Sequence, residues 1–157
     1  MNDSHANLSR VFELAVEARA AGNHPFGALL AVDGVIVAEA RNLVTTTRDV
    51  TAHAETELVR MLERAGRLHE LTGGVVYASC EPCPMCVGAM FWAGARHVVY
   101  GMSASRLMQL GMARGGQPFG FAISAPEIGN GALPPMHFDG PQREDEAAQA
   151  HVGFWVD

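Results

Sequence analysis

Val75-Val-Tyr-Ala-Ser79 runs straight into Cys80-Glu-Pro-Cys83-Pro-Met-Cys86, and this stretch decides how the chain is read. The first five residues, behind the Gly73-Gly74 break, have the β-branched, apolar character of a buried strand. Cys83 to Ala93 reads as a short helix. A helix that opens on Cys83 and Cys86 carries both thiols on one face, because residues three apart are neighbours there. Its positive end also lowers thiol pKa, which helps hold the pair as thiolates. With 8 Pro and 3 Cys in 157 residues, a Pro-Cys-x-x-Cys pattern is expected by chance only about 0.002 times.

Upstream lies Thr51-Ala-His53-Ala-Glu55. His-x-Glu is expected by chance about 0.5 times, so it gains weight only as a partner of the cysteine pair. Thr51 reads as the N-cap of a helix over 52–65, with Leu58, Met61, Leu62 and Ala65 on its buried side. Further out, Asn7 to Ala21 reads as an amphipathic helix closed by Gly22. Residues 26–32 and 35–38 flank Asp33-Gly34, a strong hairpin signal.

Downstream, His97-Val-Val-Tyr100 reads as a strand and Ser103 as the cap of a helix through Met112. Gly111 to Gly120 reads as a glycine-rich loop, a lid or a plain surface connection, with a short strand near 121–124 beyond it. A last helix runs from Pro141 toward Trp155. This order of elements predicts an α/β chain: a three-layer α/β/α sandwich with a five-stranded mixed sheet, as a single domain over 1–157.

Composition narrows the function. Hydrophobic residues make up 48% and charged residues 18%, as in a folded core and unlike a disordered chain. No apolar run approaches the roughly 20 residues that span a bilayer, and the first 25 residues show no secretory signal. Net charge is −6 and all 11 basic residues are Arg, which argues against nucleic acid as a partner. Three cysteines within seven residues make metal or redox chemistry a better reading than a disulfide framework. A cytoplasmic location is expected.

His53, Cys83 and Cys86 form a zinc set of one imidazole and two thiolates, leaving a fourth position for water. Glu55, two residues from His53, can lie beside that water as a proton carrier. Cys80 admits another reading, a closed structural site of four ligands. Such a site has no use for Glu55, so the open arrangement is preferred. A ferredoxin-like cluster needs a fourth Cys where Met90 stands.

The two motifs resemble the zinc-dependent cytidine deaminase superfamily, whose signature is H-x-E with P-C-x-x-C. Around them, His24-Pro-Phe-Gly-Ala28, Asn42, Ser79 to Cys86 and Gly88-Ala-Met-Phe-Trp-Ala93 are similar to bacterial guanine deaminase-type enzymes. The resemblance implies one Zn2+ per chain, Glu55 as the catalytic residue, and hydrolytic release of ammonia from a nucleobase or related amino-heterocycle. It implies substrate contacts from Asn42, Phe26, Ala54 and Trp92, a pocket helped closed by the C-terminal segment, and a homodimer. It departs from the guanine-type pattern at residues 101–116, which hold no Asp or Glu where those enzymes place an acid. Cytosine, isocytosine, a nucleoside or tRNA adenosine are the alternative substrates, and a zinc-stabilised binding module is the non-enzymatic one.

Overall fold

The computed structural model describes residues 3–111, 113–114 and 117–155. At its centre lies a five-stranded mixed sheet made of β1 (Gly27–Val32), β2 (Val35–Arg41), β3 (Val75–Cys80), β4 (His97–Met102) and, at the far edge, β7 (His137–Asp139). The strand order is β2-β1-β3-β4-β7. β1 is antiparallel to both β2 and β3, whereas β3, β4 and β7 run parallel. A two-residue pair, β5 (Ala113–Arg114) and β6 (Gln117–Pro118), stands apart from this sheet.

Helices cover both faces. Within β1, successive side chains alternate between two cores, as the period of two demands. Leu29 and Ala31 join the core formed with α1 (Asp3–Ala20) and α8 (Glu144–Ala148). Ala28 and Leu30 join the opposite core, built on α3 (Ala54–Arg64), α5 (Pro84–Ala93) and α7 (Ala125–Gly131). α1 presses closely on the sheet because Gly27 has no side chain. A Cβ there would meet Leu14 Cβ at 2.5 Å and the Val11 carbonyl oxygen at 2.7 Å. Among the described residues no helix is long and apolar enough to cross a membrane.

Several elements differ from expectation. The polar stretch after β2 contains a single helical turn, α2 (Val44–Thr47). The cap of α3 is His53, not Thr51; Thr51 is engaged by the Asp49 carboxylate, which accepts its N–H and its hydroxyl. Met61 is 44% exposed and Ala65 is exposed, so the buried side of α3 is built on Leu58 and Leu62 alone among the four. After α4 (His69–Gly73) and β4, α6 covers only Ala104–Gln109. Its predicted end, Met112, lies outside the described residues, as does any helical pairing of Met112 with Met108.

No strand forms at 121–124. The fifth strand is β7, whose three residues lie between prolines and are too few for their alternation to signal a strand. α7 went unpredicted because Pro126 looked like an interruption; it occupies the first turn, where a missing N–H costs nothing. The terminal helix is shorter than expected and ends in a 3-10 turn, Gln149–His151.

Candidate active site and metal centre

His53 and Cys83 occupy equivalent places in the fold. Each is the N-cap of its helix, with extended backbone at φ −71° and −70°. α3 and α5 pack side by side, so their amino ends open onto one point, and the third donor, Cys86, comes from the first turn of α5. His53 Nδ1, Cys83 Sγ and Cys86 Sγ form a triangle whose three edges are each 3.6 Å. Tetrahedral zinc with Zn–S of about 2.3 Å and Zn–N of about 2.0–2.1 Å needs edges of roughly 3.5–3.8 Å. The residues present fit that ion.

Among the described residues these are the donors that converge; Cys80, buried in β3, is not one of them. The four-ligand closed site therefore finds no support in the geometry.

The donors are prepared electrostatically. The Cys86 thiol and the His53 ring hold Cys83 down at about 4, against the opposing effect of burial. Its thiolate neighbour and burial push Cys86 well up in turn. The pair thus keeps one proton at neutral pH, and a divalent cation would release it. The hydrogen bond to Cys83 raises His53, with burial opposing.

Glu55 lies one residue into α3, only 6% exposed. Burial, then the negative charge on Cys83, push its carboxyl up to about 7. A cation held by the trio would act in the opposite direction. Either way the group sits beside the ligands as a proton carrier must.

His53, Cys83 and Glu55 open onto a cavity of about 510 Å3, with Cys86 buried behind them. Phe26 and Asn42 both line it, and the Asn42 N–H donates to the Phe26 carbonyl at 3.1 Å. Asn42 is buried, and its Oδ1 accepts the Val44 N–H at 3.1 Å. That bond engages Oδ1 as the acceptor and leaves Nδ2 as the donor group of the amide. Among the described lining residues there is no Lys or Arg.

Two expected contacts lie elsewhere. Trp92 is 86% exposed and is not part of the cavity wall, because α5 turns Cys86 and Met90 inward and leaves Trp92 outside. Ala54 is buried within the core on the α3 side of the sheet and likewise does not line the cavity.

Other wall residues were not named as substrate contacts from the sequence, although closure by the C-terminal segment was expected. Leu107 and Met108 come from α6, and Phe119, Phe121 and Ile123 from the segment before α7. Trp155 closes another side, its Nε1–H donating to His151 Nδ1 at 3.0 Å, with His24 and Phe26 packed edgewise or tilted against it. Aromatic density near the C-terminus was the available signal for Trp155. No local signal existed for the rest.

Comparison with known proteins agrees with this geometry. The cytidine and deoxycytidylate deaminase zinc-binding region matches residues 1–102. A probable cytosine deaminase of Schizosaccharomyces pombe is 35% identical over 150 residues, spanning 96% of this chain and 91% of that one. A tRNA-specific adenosine deaminase of Agrobacterium fabrum is 41% identical over 100 residues, 61% of this chain and 66% of its own length. The crystal structure of guanine deaminase from Bacillus subtilis superposes with a TM-score of 0.64 at 42% identity, covering 71% of each chain.

Proposed function

This chain belongs to the cytidine and deoxycytidylate deaminase zinc-binding family and is a zinc-dependent hydrolytic deaminase; we propose that its substrate is a free nucleobase, with guanine the first choice. The observation that carries this reading is the placement of His53, Cys83 and the buried Glu55 at the wall of one cavity, with Cys86 completing the donor triangle behind them. The reaction exchanges an exocyclic amine for oxygen: one water is consumed and one ammonia leaves.

His53, Cys83 and Cys86 would hold the zinc, which when bound supplies a water acidified toward neutral pH. Glu55 accepts the proton of the attacking water and delivers it to the departing nitrogen. Phe26 offers a ring face for stacking. Asn42 Nδ2 donates to an oxygen or nitrogen acceptor on the base edge, its orientation set by the bond to Val44.

Guanine is supported by the likeness to the Bacillus subtilis enzyme across the motif-bearing part of the chain. Cytosine is the second reading, favoured by the S. pombe relative, which aligns over nearly all of the chain, including residues beyond 102. Transfer RNA is disfavoured by the charge of −6 and by a described cavity wall without cations. The reading also includes a homodimer, joined through the outer face of α5, where Trp92 is exposed.

Ammonia release from zinc-loaded protein across aminated purines, pyrimidines and triazines tests the substrate, with guanine expected to turn over fastest. Inosine formation in an anticodon stem-loop, without release from any free base, would sink the nucleobase reading.

A further inference from the structure

Glu81 stands between the end of β3 and Pro82, two residues before the first sulfur ligand, and lines the cavity. Neither metal binding nor proton transfer uses it. Its two carboxylate oxygens grip separate parts of the chain. Oε2 accepts the Ala104 N–H at 3.0 Å, and Oε1 accepts the Ala125 N–H at 2.9 Å. These are the first residues of α6 and α7, whose amides have no partner inside their own helices.

The helix caps leave this role open. Ser103 accepts from Arg106 N and Ser124 from Glu127 N, two residues further along each helix. Glu81 adds its own N–H to the Met102 carbonyl at 2.7 Å, which ties it to the end of β4. The elements it holds form the wall facing the metal ligands. α6 contributes Ala104, Leu107 and Met108, and Phe119, Phe121 and Ile123 lead into α7. No ladder of the central sheet runs through either segment; α7 packs against α5, and the Glu81 bonds fix the first turns of α6 and α7 against the ligand segment.

We propose that Glu81 is a positioning residue, a two-armed clamp that sets the width of the substrate cavity by fixing α6 and α7 against the Pro82–Cys86 ligand segment. A substrate ring is thereby pressed toward Glu55 and the metal. This rests on the reading that the heterocycle occupies that cavity.

The test compares Glu81→Ala and Glu81→Gln with wild type in the zinc-loaded full chain, by amide hydrogen exchange and by deamination of guanine and cytosine. Glu81→Ala is expected to speed exchange in both 103–109 and 124–131 while β1 and β3 stay protected and zinc remains at one per chain. KM for the deaminated base rises about tenfold and kcat falls less, the signature of lost positioning rather than lost chemistry. Glu81→Gln keeps the shape and one carbonyl acceptor, so it recovers part of the KM. Faster exchange in only one helix or in neither, or a kcat loss at unchanged KM, overturns the clamp. The exchange measurement needs no substrate. A wild type that deaminates neither base removes guanine and cytosine as its substrates instead, and the clamp is then decided by exchange alone.

Discussion

Glu55 and His53 are two residues apart and are read in different roles because a helix begins between them. His53, at the cap, faces the cysteine pair; Glu55, one residue into the helix, is buried beside it. Removing the charge while keeping the shape separates the roles. Glu55→Gln is expected to retain one zinc per chain and lose about 10²–10⁴-fold in turnover, the usual worth of a positioned proton carrier. Metal analysis alongside ammonia release checks it, and wild-type turnover in that variant would refute the assignment. Cys83→Ala is expected to lose both zinc and activity, since two donors do not hold the ion in tetrahedral geometry. These four residues were legible in the sequence because their spacing is local to two helix starts. Glu81, inside the same motif, was not: what it does depends on Ala104 and Ala125, and no spacing within the motif announces them.

The hairpin, defined by short-range chemistry, was read correctly. Asp33 and Gly34 adopt φ of 49° and 79°, the turn that a two-residue hairpin requires. The C-terminal segment shows what only packing settles. His151 sits on the final 3-10 turn, fully covered, accepting from Trp155. Burial, and then the charge of Arg19, lower it to about 4 from 6.5. Between those values the unfolded chain binds a proton that the folded chain refuses, so stability falls as pH drops from about 6.5 toward 4. From pH 7 to pH 5 this amounts to a loss of about 2 kcal/mol. Urea unfolding of wild type and His151→Gln at both values measures it: the variant is expected to lose less over this interval, and an equal loss in both would refute it. The burial of His151 is not legible locally, because Phe26, which packs on it, comes from the other end of the chain.

At the scale of the molecule, the cavity and the outer face of α5 are the consequential surfaces. Trp92 exposes apolar area on the outer face of α5, which costs solvation free energy unless another surface covers it. Sedimentation of the wild type is expected to give a dimer, and Trp92→Ala to shift it toward monomer with zinc content unchanged. A wild-type monomer at all concentrations would remove the dimer from the reading.

Sequence alone determined the alternation of strands and helices through residue 102, the zinc chemistry, and the deaminase family. Each is written in spacings of a few residues, where helix and strand periods map sequence directly onto space. Tertiary structure decided the substrate wall, the outward turn of Trp92, the fifth strand and the partners of Glu81. All of these join segments tens of residues apart, and their positions are set by how the helices pack on the sheet.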